Sequence, residues 1–449
     1  MFASRARPPY LLAAAGLGVA LLVCDPKPTT PARERLVKLH VKLRAEGAPL
    51  AIAATEGMRI EPMFSAMTIA AHDDRARWVI VTTATAGADD EIVKLLEADP
   101  AVEQAFVPPH TSLPTTERAF SGREDERCPV TTPSFEPLQG YLGPAPQGID
   151  APAAWRLGHR GAGVWFADIE GGWNAAHEDL PGHRIEHAGG IPIDDRSWRA
   201  HGTAVLGEVV GLDNGKGVTG IAPDVEKVFT SSIGGTTVAG AIDTAASRLR
   251  AGDVLLIELQ STGPRGRYLP VEYWDDVYDT IKAHTQRGVI VIEAAGNGGE
   301  NLDHKSYKGK LDRKVRDSGA IMIGAGGPAR EGWSDRERLD FSNYGTRVDV
   351  QGWGRKVATL DYGDLQRCDP DTTDRHYTDE FSGTSSASPI VAGAAIILEG
   401  VAREKGAVIP PAELRELLRA TGSPQLGDTS QQIGPRPDLA KALEALSER

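Results

Sequence analysis

An α/β fold with a doubly wound, mostly parallel sheet, preceded by a small α+β domain, follows from two features of the sequence. The first is a set of near-continuous apolar runs at 164–167, 254–259, 289–292 and 321–323, as expected for strands buried on both faces. The second is helical spacing between them: Val238, Ile242, Ala245 and Leu249 stop at Gly252, and Trp274, Val277 and Ile281 stop at Gly288. Buried strands alternating with amphipathic helices give a parallel sheet covered on both sides. Ligands of such sheets bind outside the carboxyl ends of the strands, so the residues after each run carry the candidate chemistry.

In chain order, Arg5 and Arg7 precede an apolar run over 10–23 that falls short of the roughly 20 residues needed to cross a bilayer. That pattern predicts an export signal over 1–24, with Cys24, at the end of Leu-Leu-Val-Cys, as a candidate lipid anchor. Leu39, Val41 and Leu43 alternate with Lys38, His40 and Lys42, which predicts a half-buried strand over 36–43. A second strand at 78–83, a helix opened by Asp89 and Asp90 and ended by Asp99-Pro100, and a last strand near 102–107 complete a small unit over 35–108. Residues 109–145, rich in Pro, Thr, Ser and charge, read as a linker, and 146–449 as the large α/β domain.

The chain of 449 residues carries a formal net charge of −13 and has no basic run, which argues against nucleic acid as a partner. A hydrophobic share of 41% against 25% charged excludes wholesale disorder, and 50 Gly with 30 Pro predict long loops on a rigid scaffold. With Cys24 lost or modified after export, Cys128 and Cys368 are the remaining cysteines and form a candidate disulfide.

Four pieces carry candidate chemistry. Asp168 follows the run 164–167 directly, at the expected sheet edge. His201 opens a helix in His201-Gly-Thr-Ala-Val, whose small first turn leaves the imidazole accessible. Ser385, in Phe381-Ser-Gly-Thr-Ser-Ser-Ala-Ser-Pro389, lies near the start of an apolar helix, where free N–H groups favour a developing oxyanion. Asn297, in Glu293-Ala-Ala-Gly-Asn297, offers a side-chain amide after the run 289–292. Singly these are a strand-end carboxylate, a helix histidine, a serine cap and an Asn-Gly turn.

Together, with Gly217-Val-Thr-Gly-Ile-Ala-Pro223 and Gly383-Thr-Ser-Ser-Ala-Ser-Pro389, the order Asp, His, Ser resembles the subtilisin-like serine proteases from about residue 140 onward. Residues 36–107 are similar to the family's inhibitory propeptide, which makes the chain's own propeptide a partner beside a peptide or protein substrate. The resemblance implies a monomeric, self-maturing serine endopeptidase needing no cofactor for catalysis. Ser385 is then the nucleophile, His201 the base and Asp168 its orienting acid, with Asn297 and the Ser385 N–H as oxyanion hole. It further implies that Gln260, Ser261, Thr262 and Gly263 face Ala294, Ala295 and Gly296 across the pocket for the residue before the scissile bond. Asp179, with Leu212, Asn214, Lys216 and Val218, matches positions where many relatives hold a structural calcium.

The match has departures. Relatives place a hydroxyl residue and Gly after the catalytic Asp, where this chain has Ile169, Glu170, Gly171 and Gly172. Ser386 replaces the family's Met after the nucleophile. Glu258 and Glu293 are charged residues inside apolar runs near the pocket, and neighbouring buried carboxylates there raise one another's proton affinity. A non-catalytic, peptide-binding relative is the alternative reading. A lipase or esterase is excluded, because that fold uses Gly-x-Ser-x-Gly and the order Ser, Asp, His.

Overall fold

The computed structural model describes residues 35–51, 58–65, 69, 73–85, 88–114, 128–368 and 371–448. The stretch expected to be an export signal, with Cys24, lies outside the described residues.

The N-terminal unit holds β1 (Arg35–Leu43), β2 (Arg59–Pro62), β3 (Trp78–Thr85), α1 (Asp89–Glu97) and β4 (Val102–Phe106). The strands form an antiparallel sheet ordered β2-β3-β1-β4, and the alternation in β1 sends Leu39, Val41 and Leu43 into a core shared with Ile92 and Leu96 of α1. A short β5 (Thr111–Ser112) follows.

The large body contains α2 (Ala151–Arg156), β6 (Trp165–Glu170), β7 (Ile185–Gly189), α3 (Arg196–Val210), β8 (Lys227–Ser232), α4 (Val238–Ala246), β9 (Val254–Ile257), β10 (Gln260–Thr262), β11 (Tyr268–Pro270), α5 (Asp275–Gln286) and β12 (Ile290–Ala294). It continues with β13 (Ile321–Gly326), β14 (Val350–Trp353), β15 (Val357–Leu360), β16 (Gln366–Cys368), β17 (Arg375–Phe381), α6 (Thr384–Glu404), α7 (Pro411–Thr421) and α8 (Leu439–Ser447). Seven strands, ordered β14-β13-β12-β9-β6-β8-β7, pair in parallel throughout. The doubly wound α/β fold predicted from the apolar runs is therefore present. Helix α6 lies on one face of the sheet, and α4 with α5 lies on the other.

Strand period decides which side chains meet which helix. Phe166 joins the core on the α6 face, whereas Ala167 and Ile169 join the core under α4 and α5. Asp168 and Glu170 therefore share the α6 side. Strand order reverses between β6 and β9, the crevice where a doubly wound sheet binds ligands.

Two boundaries differ from expectation. Helix α3 starts at Arg196, capped by Asp195 on the Ser197 and Trp198 N–H groups, so His201 lies in its second turn rather than its first. The stretch read as a linker, 109–145, is not one free tether. Residues 110–113 bond to the large body at β10, and Tyr141 and Leu142 are buried in its main core. Backbone groups make the first attachment, and apolar side chains set among polar ones make the second. Cys128 and Cys368 are joined as a disulfide with a Cα separation of 5.5 Å.

Candidate active site

Strand β6 ends at Glu170, not at Ala167, and that extension relocates the acid. His201 Nδ1 lies 2.5 Å from Glu170 Oε1, and both side chains are fully buried. Asp168, two residues earlier on the same face, instead accepts the Trp173 indole N–H on Oδ2 at 2.7 Å. The expected pairing of Asp168 with His201 is thus corrected to Glu170. Asp168 lies mid-strand, one pleat short of the carboxyl edge that faces α3. The departure after Asp168 also shrinks, because Gly171 and Gly172 follow Glu170 directly.

Burial pushes the His201 imidazole down to about 3, so the ring is neutral at ordinary pH. Burial also raises the Glu170 and Asp168 carboxyls well above the usual range, and the charge of Glu170 adds to the effect on Asp168. His201 Nε2 is buried without a hydrogen-bond partner, and it is the nitrogen that can accept a proton in the tautomer whose Nδ1–H points to Glu170. Phe381 sets its ring edge-on to the imidazole at 5.3 Å.

Phe381 ends β17, and the chain turns into α6 through Gly383, whose φ of +114° suits glycine. Ser385 therefore sits in the first turn of a 21-residue helix with its Oγ buried and without a hydrogen-bond partner. Asn297 is fixed by its oxygen: Oδ1 accepts from the Thr384 N–H and from the Thr384 hydroxyl, both at 3.0 Å. Its Nδ2 is left buried without a partner beside the serine turn, the arrangement of an oxyanion donor.

The cleft holds a segment of the chain itself. Antiparallel β10 lies between β11 and β5, with Ser261 opposite Thr111 and Gln260 opposite Ser112. The Thr262 N–H donates to His110 O at 3.0 Å, and Gln260 Nε2 donates to Leu113 O at 2.8 Å. The ladder ends at Pro114, whose carbonyl oxygen accepts the Ser385 N–H at 3.3 Å. Nothing in the composition of 109–145 marks this docking.

Of the predicted pocket residues, Gln260, Ser261 and Thr262 line this segment, while Gly263 turns the chain back toward β11. Ala294 and Ala295 continue the parallel ladder beside β13, and Gly296 opens the turn that presents Asn297. Glu258 and Glu293 do not act on one another as expected. Burial raises Glu258 well above the carboxylate range, helped by Glu170, Asp168 and Glu208. Glu293 instead accepts the Glu272 N–H at 2.9 Å in a cluster with Arg347.

Structural calcium is not shown, and the residues expected to hold it bond to one another. Asp179, Asn214, Lys216 and Val218 do converge, but Asp179 Oδ1 accepts from Asn214 Nδ2 at 2.8 Å and Oδ2 from the Val218 N–H at 2.7 Å. Leu212 donates its N–H to Asp179 O, and the Lys216 ammonium sits 2.8 Å from Glu178. Each Asp179 carboxylate oxygen is thus taken by an N–H donor, beside the Lys216–Glu178 pair, and among the described residues no group of three or more His, Cys, Asp or Glu that could hold a metal is found.

Residues 175–435 match the model of the subtilase family of peptidases. The chain belongs to the subtilase family. It is 30% identical over 292 residues to subtilisin DY of Bacillus licheniformis, covering 63% of this chain and 91% of that protein. It is 28% identical over 289 residues to subtilisin Savinase of Lederbergia lenta, covering 63% and 91%. Among solved structures, fervidolysin from Fervidobacterium pennivorans, a keratinolytic enzyme related to subtilisin, aligns with 92% of this chain and 61% of its own at a TM-score of 0.59 and 18% identity. A protease of Pseudoalteromonas arctica aligns with 71% of this chain and 99% of its own at a TM-score of 0.53 and 21% identity. This subtilase is a serine endopeptidase that acts on peptide or protein substrates and needs no cofactor for catalysis.

Proposed function

We propose that this subtilase is an exported, self-maturing zymogen with Glu170, His201 and Ser385 as its triad, and that it cuts its own chain between Pro114 and Thr115. The observation that carries the reading is the Pro114 carbonyl on the Ser385 N–H, at the end of a segment laddered on β10. Ser385 Oγ attacks the Pro114 carbonyl carbon while His201 Nε2 takes the hydroxyl proton. Glu170 holds the Nδ1–H and stabilises the imidazolium as it forms. The oxyanion gathers on the Ser385 N–H and Asn297 Nδ2, and the proton on His201 then passes to the Thr115 amine as the peptide bond breaks. Water entering on the same imidazole releases the Pro114 acid and restores the serine.

The N-terminal unit fits the role of an inhibitory propeptide because it docks by its own side chains. Trp78 and Phe106 pack into the core under α4 and α5, His40 Nδ1 lies 2.8 Å from Asp276 Oδ2, and Lys42 Nζ lies 2.8 Å from Asp279 Oδ2. Export, with Cys24 as a candidate lipid site, is proposed on the sequence of residues 1–24 alone. The free serine hydroxyl and neutral imidazole have no use in a peptide-binding relative without activity. Intact-mass measurement of wild type beside Ser385→Ala tests the reading. Wild type is expected to yield a chain beginning at Thr115 while the variant keeps its N-terminal unit, and equal processing of both would overturn it.

A further inference from the structure

We infer that the Gln260 side chain closes the pocket for the residue before the scissile bond, so that this subtilase cuts after proline and other compact residues and discriminates against large ones. The inference rests on the cleft reading above, in which Pro114 occupies that position.

The two walls of the pocket are β10 and the turn from Ala294 to Asn297. A side chain that enters the pocket has to pass between them. Gln260 stretches from the first wall to the second. Its Oε1 accepts the Asn297 N–H at 2.8 Å, and its Nε2 donates to Leu113 O at 2.8 Å and to Ser112 Oγ at 3.3 Å. The side chain is 2% exposed with residues 112–113 lying against it, so the amide is bracketed by the docked segment on one side and the Asn297 turn on the other. Gly296 stands opposite, with φ of +89°, and a methyl built on it would already meet Gln260 Cβ at 3.6 Å and Asn343 Nδ2 at 3.0 Å. Asn343 is itself pinned across the base, donating from Nδ2 to Ala295 O at 2.6 Å and to Tyr268 O at 2.9 Å.

With the segment docked, both ends of the Gln260 amide are therefore committed, and the Oε1 end is held by the enzyme's own turn. A large side chain entering here displaces that oxygen and leaves the part-buried Asn297 N–H without its partner, which a compact one does not. The same N–H belongs to the residue that carries the proposed oxyanion donor, so displacing Gln260 also loosens Asn297. Discrimination against a bulky residue then falls on kcat as well as on KM.

The test uses the full chain and the enzyme it yields. Wild type and Gln260→Gly are assayed on peptides of the form Thr-Ser-Leu-X-Thr with X as Pro, Ala, Leu or Phe. In wild type, kcat/KM for Pro and Ala is expected to exceed that for Phe by at least about tenfold, and Gln260→Gly is expected to shrink or reverse that ratio by at least about tenfold. Gln260→Ala serves if the glycine variant does not fold. Within the chain, Pro114→Phe should stall self-cleavage, and combination with Gln260→Gly should restore it. Wild type cutting after Phe as fast as after Pro, or a ratio unmoved by either Gln260 variant, overturns the gate while leaving the peptidase intact. A wild type that neither matures nor cuts any peptide overturns the cleft reading and the gate together.

Discussion

Asp168 and Glu170 share one face of β6, yet only Glu170 reaches the imidazole, with Oε1 2.5 Å from His201 Nδ1, while Asp168 Oδ2 takes the Trp173 indole N–H. Trp173 in turn lies against Gly202, the residue after His201. The two acids thus divide the work of placing the imidazole: one bonds it, and the other fixes the indole that seats its helix.

That seat has no room for a methyl. A Cβ at Gly202 would collide with the Gly172 carbonyl oxygen and lie 2.7 Å from Trp173 Cδ1. Gly202→Ala is expected to destabilise the chain by about 1–3 kcal/mol and to lower peptidase activity along with it. Calorimetry beside an activity assay checks this.

The main features of the fold were legible because strands buried on both faces leave continuous apolar runs, and 254–259, 289–292 and 321–323 each mark a strand of the sheet. His201, Ser385 and Asn297 were legible because their small flanking residues serve close approach. The carboxyl that bonds His201 was not legible in the same way, because β6 runs three residues past its apolar run, to Glu170. An apolar run shows where a strand is dry, not where it ends, and Asp168 and Glu170 continue β6 as polar residues. Period two, applied past the apolar run, puts both carboxyls on one face and leaves Glu170 nearest the edge. The docking of 110–114 had no such signal, since it uses backbone groups that every residue carries.

Burial pushes the Glu399 carboxyl up to about 8 from 4.5, partly offset by the Ile409 N–H and by Arg403. A folded-state value above the unfolded one means stability that is complete below about pH 4.5 and is lost as pH rises through about 8. The loss grows by about 1.4 kcal/mol per pH unit across that window. Glu399→Gln keeps an oxygen for the Ile409 N–H, so its Tm is expected to match wild type near pH 4 and to exceed it increasingly toward pH 8. Melting curves across that range are the check.

The Cys128–Cys368 bridge spans 240 residues and lies beyond the proposed cut, so it ties the new N-terminal stretch to β16. Cys128→Ser is expected to cost about 2–5 kcal/mol, read as a lower Tm under non-reducing conditions. Reduced wild type should melt like the variant.

Ser386 donates its hydroxyl to Trp353 O at 2.9 Å, so no thioether stands beside the nucleophile. Beyond Pro114 the sequence has a single methionine, Met322, which is fully buried in β13. Activity is expected to survive mild peroxide. Activity and intact mass followed together over the exposure will show it, and rapid inactivation with a gain of one oxygen would count against it.

The most direct test of Glu170 as the triad acid compares Glu170→Gln with Asp168→Asn in kcat/KM on one peptide. Loss of the carboxyl that holds the imidazole is expected to cost on the order of 10⁴-fold, whereas Asp168→Asn, which retains an acceptor for Trp173, should stay within about tenfold of wild type. A collapse in Asp168→Asn with Glu170→Gln near wild type would contradict the account.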